Sequence, residues 1–288
     1  MPQLTASELK PLIGAMPHLA REALLGGAWA DALRELLVTR GVLLWRGLDI
    51  SIDEQRAITA QFGPVRAEGG GEDGDGKGGG GALQRVTIDP DASAEYSAYY
   101  ANTMLWHMDG YHDQTVPCFG GSFRPVTLAP EGGETEFLNA YAAYEALPDS
   151  ERRLIDGLEV VYSAVTVGLA ANPDADDAQV DGWRRRPRPM QPLVWEHRSG
   201  RRSLMLGAAV SHVVGMAPAD SQDLLVRLRA HMGQERFVYR HEWRIGDLLV
   251  WNNTGTMHRA RPFDPRCGRL LHRFTIEGDE PIRGCAQA

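Results

Sequence analysis

A single β-rich domain with helical support is the fold class that the sequence predicts, on three observations. Short apolar runs of strand length recur along the whole chain, helical stretches are few and interspersed among them, and no linker divides the 288 residues. That length fits one large domain or two small ones. Hydrophobic residues at 43% and charged residues at 24% exclude a wholly disordered chain.

Taken in order, residues 28–40 read as a helix, because Trp29, Leu33, Leu36 and Leu37 recur at helical spacing. GVLLWRG (41–47) reads as a buried strand. Ser51 and Glu54 form a capping-box pattern that starts a short helix carrying Ile58 and Phe62, and Gly63-Pro64 ends it. Residues 69–81 hold nine glycines in thirteen positions and read as a flexible loop. Two phosphate-loop patterns fall inside it. Gly71 to Lys77 fits GxxxxGK, but Gly78 stands where a Ser or Thr would ligate magnesium; Gly76, Gly78 and Gly81 fit GxGxxG, but ALQRVTID follows as a strand where a helix is needed. Further strands are expected at 83–88, 117–127, 158–166, 203–207, 247–252 and 270–277, and helices at 140–147, 149–156 and 218–232. Residues 171–192 read as a second polar insertion, acidic first and then WRRRPRP. The expectation is thus one domain over 1–288, with mobile loops at 66–82 and 171–192 that could close over a site.

Composition excludes several classes of function. The net charge of −8 argues against a nucleic-acid binder. No run of 18 apolar residues exists to span a bilayer, and the N-terminus lacks the charged-then-apolar order of a secretory signal. Cys118, Cys267 and Cys285 are few and far apart, which suggests a cytoplasmic protein and excludes a CxxC zinc knuckle. Of the 30 basic residues only Lys10 and Lys77 are lysines, one near a terminus and one in the glycine run, so Schiff-base chemistry is set aside. GGSFR (120–124) misses a nucleophile elbow because Arg124 replaces the last glycine.

The strongest chemical signal is LWHMDG. In a strand, His107 and Asp109 would project side by side from one face. Alone, the common HxD pattern reads more readily as a mere hydrogen-bonded pair. A third donor, His258, lies just beyond the apolar strand of GDLLVWNNTGTMHRARP. Two imidazoles and one carboxylate on one face of a metal leave three adjacent positions open, the arrangement of non-haem Fe(II) oxygenases. An iron site that uses 2-oxoglutarate must also hold that co-substrate's distal carboxylate, which an arginine fork does bidentately with help from a hydroxyl. Arg269 follows His258 by eleven residues and Arg273 by four more; in a strand, 269, 271 and 273 share a face. Thr135 follows a Gly-Gly turn between the two ligand segments.

With these residues in place, the chain resembles the taurine dioxygenase-like (TauD/TfdA) family of Fe(II)- and 2-oxoglutarate-dependent dioxygenases. GVLLWRG, FGPV, WHMDG, GGETEF with AYAAYEALP, YRHEWRIGDLLVWNN, MHRA and GRLLHRFTIEGD occur in family order over nearly the whole chain. The resemblance implies a mainly β fold with flanking helices around a double-stranded β-helix, or jelly-roll, cupin-like core. It implies His107, Asp109 and His258 as iron ligands and catalytic centre, and Thr135 and Arg269 at the C5 carboxylate of 2-oxoglutarate. Arg273 would sit near the C1 carboxylate or an anionic group of the substrate, and Asn102 and Thr103 at positions that contact substrate in some members. The cofactors implied are Fe(II), with 2-oxoglutarate and O2 as co-substrates. The partner is a small, anionic organic molecule, such as an amino acid or a sulfonate, or an intermediate of specialised metabolism, that is hydroxylated or otherwise oxidised with succinate and CO2 released; homo-oligomerisation stays open. Asp109 separates the chain from the related halogenases, which carry Gly or Ala there. Where the family often reads WDNR, this chain reads Trp251, Asn252, Asn253 and Thr254, which unsettles the contacts around the ligands. Two alternatives remain: a non-catalytic binding protein on the same fold, and a zinc hydrolase, which would leave Arg269 and Thr135 without a task. Among secondary residues, His112 reads as a loop histidine, Tyr96, Tyr99 and Tyr100 as packing or pocket lining, His241 as structural, and His272 as facing away from Arg273.

Overall fold

The computed structural model describes residues 3–66, 83–89, 91, 101–110 and 115–285. Two antiparallel sheets face each other. The major sheet takes, in spatial order, Ala6–Lys10 (β1), Ile13–Pro17 (β2), Val42–Trp45 (β3), Leu248–Asn252 (β13), Gly120–Thr127 (β5), Leu270–Ile276 (β15) and Gln84–Val86 (β4). All its pairings are antiparallel except β2 with β3. The minor sheet sets Thr135–Asn139 (β6) between Val238–His241 (β12) and Thr256–Ala260 (β14). Outside these lie a sheet of Glu159–Tyr162 (β7), Met190–Pro192 (β8) and Val210–Val213 (β11), and a hairpin of Val194–Glu196 (β9) and Arg202–Leu204 (β10).

The period-two pattern of the strands builds this layering. In β13, Leu248 and Val250 pack outward with Leu43 and Trp45 of β3, beneath helices Arg21–Leu25 (α1), Ala30–Arg40 (α2) and Ile52–Ala60 (α3). Leu249 and Trp251 point inward to meet Val42, Leu44, Phe123 and Leu271, together with Phe137 and Tyr239 from the minor sheet. Strands covered on both faces carry apolar residues at both parities, which is why VLLW and LLVW read as continuous apolar runs. The far side of the minor sheet is sealed by Ala140–Glu145 (α4), Asp149–Ile155 (α5) and Pro218–Met232 (α8). The capping box at Ser51 and Glu54 is present, each residue's side chain bonding the other's backbone N–H.

Three expectations are corrected. The strand predicted over 158–166 stops at Tyr162; Ser163 then accepts a hydrogen bond from the Thr166 amide and caps a helix, Ala164–Ala171 (α6). Its valines suggested a strand, but a capping serine followed by alanines won. The polar insertion 171–192 is not irregular throughout: a capping box of Asp176 and Gln179 starts the helix Asp177–Arg184 (α7), and Met190–Pro192 pairs with β7. The segment of His107 and Asp109 is not a regular strand. His107 makes one isolated bridge, to His258, and Asp109 already lies in a turn. Of the expected loop 66–82, all but Arg66 lies outside the described residues, as do Tyr96, Tyr99, Tyr100 and His112.

Candidate active site

The site forms where the chain crosses from the major to the minor sheet. His258 lies beyond the end of β13, as its sequence position suggested, and sits mid-strand in β14, opposite Phe137 of β6. On its other side the His107 and His258 backbones exchange two hydrogen bonds, of 3.1 and 2.9 Å, which brings the two imidazole centroids to 4.2 Å. Asp109 curls in behind them: Oδ1 lies 3.9 Å from His107 Nε2, and Oδ2 lies 3.7 Å from His258 Nε2. Among the described residues these three form the one group whose ligand atoms all fall within 4.8 Å of one another.

The protonation states suit a metal. His107 Nδ1 donates to the Leu105 carbonyl at 2.8 Å, which fixes the tautomer and leaves the Nε2 lone pair facing Asp109. Burial, reinforced by the neighbouring His107, pushes His258 down to about 3, so its ring is neutral. Burial by itself would raise the Asp109 carboxyl. The Arg273 guanidinium, by its charge and its hydrogen bond, outweighs it and holds the carboxylate well below its usual range. Two imidazoles and one carboxylate form a donor set that suits a divalent metal such as Fe(II).

Arg273 of β15 reaches Asp109 Oδ2 at 2.9 Å and lies over the rings of Trp251 and Phe123. Arg269 immediately precedes β15, ahead of an irregularity between Leu270 and Leu271, and goes elsewhere. It is 5% exposed, donates to the Gly133 carbonyl at 2.9 Å, and lies over Phe263. Among the described residues it has no carboxylate ion pair, and burial lowers it to about 10, so the guanidinium stays charged. The two guanidiniums therefore face different partners, Gly133 and Phe263 for Arg269 and Asp109 for Arg273. Thr135 starts β6 two residues after Gly133, on the same strand face as Phe137. Its Oγ accepts from Trp243 Nε1 at 3.0 Å, which leaves the hydroxyl proton available for a second partner. Gly133 has φ +74°, and a Cβ there would come within 2.9 Å of Arg269 Nε, so the glycine makes room for the guanidinium.

Asn102 and Thr103 lie half-buried on a single 3-10 turn, Ala101–Met104, which packs against β14 and α6. His272 faces the opposite way from Arg273 and meets Arg124 at 3.3 Å. His241 is wholly buried beside Asp247 and Tyr239. Two contributors went unread in the sequence. Trp243 orients Thr135 from 108 residues away, and no local signal marks it. Asn253 grips the backbone of Asp109; the unusual WNNT was its only trace.

Fold and site together define a 2-oxoglutarate-dependent non-haem iron dioxygenase. The chain belongs to the taurine catabolism dioxygenase TauD, TfdA family, whose model matches residues 6–275. It is 32% identical to the alpha-ketoglutarate-dependent 2,4-dichlorophenoxyacetate dioxygenase of Cupriavidus pinatubonensis, over 97% of this chain and 99% of that protein. It is 32% identical to the alpha-ketoglutarate-dependent sulfate ester dioxygenase of Pseudomonas putida, over 62% of this chain and 60% of the relative. The crystal structure of AAD-2 in complex with Mn(II) and N-oxalylglycine superimposes with a TM-score of 0.77 at 25% identity, covering 97% of this chain and 99% of that one.

Proposed function

We propose that His107, Asp109 and His258 hold Fe(II), that Arg269 and Thr135 hold the distal carboxylate of 2-oxoglutarate, and that the substrate is a small organic anion met by Arg273. The observation that carries this reading is a pair of matched features: a neutral-His, anionic-Asp donor cluster, and a buried guanidinium without a carboxylate ion pair among the described residues. Burying an unpaired guanidinium costs several kcal/mol, so Arg269 calls for an anion in the working protein. The bound iron, with 2-oxoglutarate and O2, supplies the oxidising chemistry: 2-oxoglutarate leaves as succinate and CO2 while the substrate is hydroxylated or otherwise oxidised.

The chain's own residues bind and orient. Arg269 fixes the far end of the co-substrate, Thr135 adds a hydrogen bond, and Phe137, Trp251 and Phe123 keep the inner wall dry. An anionic group brought alongside Asp109 meets the Arg273 guanidinium. Asn102 and Thr103, on the turn leading into His107, are the proposed contacts to the rest of the substrate. The relatives are named for a phenoxyacetate and for sulfate esters, both anions, which supports this substrate class. The net charge of −8 disfavours a polyanionic substrate such as nucleic acid, and unpaired Cys118, Cys267 and Cys285 support a cytoplasmic enzyme.

The test measures succinate release with Fe(II), 2-oxoglutarate and O2 against a panel of aryloxyalkanoates, alkyl sulfates and their neutral isosteres. Substrate-stimulated succinate is expected from anions only, and none from His107→Ala or His258→Ala. Turnover retained in either variant would sink the ligand assignment, and equal stimulation by the neutral isosteres would reject the anionic substrate.

A further inference from the structure

Neither sheet's backbone fixes Asp109. Among the described residues the bridge between His107 and His258 is the last backbone pairing on that segment; two residues later, at Asp109, the chain enters a turn in which Gly110 has φ +71°. A carboxylate at such a point would wander unless something else held its backbone.

That something is one side chain. The Asp109 amide donates to Asn253 Oδ1 at 2.8 Å, and Asn253 Nδ2 donates back to the Asp109 carbonyl at 3.0 Å. A carboxamide has the donor and acceptor of a peptide group, so Asn253 does what a neighbouring strand would do, extending the pairing past His107. The same Nδ2 lies 3.1 Å from the Cys118 carbonyl, and the Asn253 amide donates to the Phe119 carbonyl at 2.8 Å. Both ends of the segment between Asp109 and Cys118 are thereby joined at one residue.

Asn253 is itself rigidly placed. It is 1% exposed and lies in the turn that carries the chain from β13 to β14, the strand of His258. Asn252 braces that turn, its Oδ1 accepting from Thr254 Oγ1 at 3.1 Å and from the Gly255 amide at 2.6 Å. Gly255 admits no side chain, since a Cβ there would fall 1.7 Å from the Tyr141 ring.

We infer that Asn253 is a positioning residue for the metal site: it sets the Asp109 carboxylate against His107 and His258 by taking the place of a missing strand. The inference rests on the proposed ligand set. Removing a group that orients a ligand costs about tenfold to a hundredfold in metal affinity. Nothing in this role requires Asn253 to touch metal, co-substrate or substrate.

The test is anaerobic titration of the full chain with Co(II) alone, following affinity and the visible ligand-field spectrum, well below the melting temperature. Asn253→Ala is expected to bind Co(II) about tenfold to a hundredfold more weakly, with a spectrum shifted towards that of Asp109→Ala. Asn253→Asp conserves volume and the acceptor for the Asp109 amide but loses both donor bonds; it serves if the alanine variant does not fold, and weaker Co(II) binding is expected again. Thr59→Val, which breaks a buried hydrogen-bonded cluster on the helix side of β5, controls for plain destabilisation and should lower the melting temperature with Co(II) binding unchanged. Wild-type Co(II) affinity and spectrum in a folded Asn253 variant would overturn the inference. A wild-type chain that binds no Co(II) at His107, Asp109 and His258 would instead overturn the ligand set on which it rests.

Discussion

Arg269 gives the sharpest expectation at the scale of single residues. Its guanidinium is held by the Gly133 carbonyl and the Phe263 ring in a place that water hardly reaches. With Arg269 in its proposed role, Arg269→Leu removes a buried charge contact to 2-oxoglutarate worth about 2–5 kcal/mol, which should weaken co-substrate binding by roughly tens to thousands of fold. Thr135→Val removes one neutral hydroxyl and should cost about 1–2 kcal/mol. Titration of the Fe(II)-loaded protein with 2-oxoglutarate under argon, read by charge-transfer absorbance, ranks the two; a larger loss in Thr135→Val would reverse the assigned roles. These positions stood out in the sequence through the family motifs that carry them. Trp243 and Asn253 were not, because an indole or a carboxamide signals nothing until the fold shows which backbone or hydroxyl it faces.

At the scale of elements, α6 packs both on α7 and on the turn that carries Asn102 and Thr103. Gly168 makes their packing possible: a Cβ there would lie 2.6 Å from the Trp183 ring. Gly168→Ala should therefore displace Trp183 and loosen α7. The alanine's better helix propensity, about 1 kcal/mol, offsets much of an overpacking cost of about 1–3 kcal/mol, so the global melting temperature should move little. Hydrogen exchange across 177–184 should rise; unchanged protection would show that Gly168 is not the point of contact. Amphipathic α2 and α8 and the apolar strands β3 and β13 were readable from periodicity, whereas α6 was misread because AVTVGLAA carries strand-like valines on a helix with little polar contrast. Strands β12 and β14 bury their side chains against neighbours more than a hundred residues away, at Glu136 and Phe137, and their short, mixed sequences carry no local mark.

The whole molecule carries a pH dependence that follows from buried imidazoles. Burial lowers His197 to about 3, beside Ser203, and lowers His258 likewise to about 3. In the unfolded chain each takes up a proton near pH 6.5. Between about 6.5 and 3 the unfolded state therefore holds more protons, and the free energy of unfolding falls as pH falls. Asp109 and Glu136 add to the loss at the acid end, since folding depresses both. The melting temperature of the metal-free protein should drop from pH 7 to pH 4.5, and His197→Gln should flatten part of that drop. A wild-type melting temperature constant over that range would show that these imidazoles are not held neutral.

Sequence alone determined the family, the β-rich core with helices outside, and the candidate residues proposed here to meet the metal and the 2-oxo acid. Those depend on periodicity and on side-chain chemistry, both of which are local. Only the tertiary structure decided that Arg269 donates to the Gly133 carbonyl while Arg273 meets Asp109, that His107 pairs with His258 through a single bridge, and that Asn253 bonds both the amide and the carbonyl of Asp109. Each is a contact between segments joined only when the two sheets close on each other, and a hydrogen bond of about 3 Å is specified by that closure, not by any neighbouring residue in the chain.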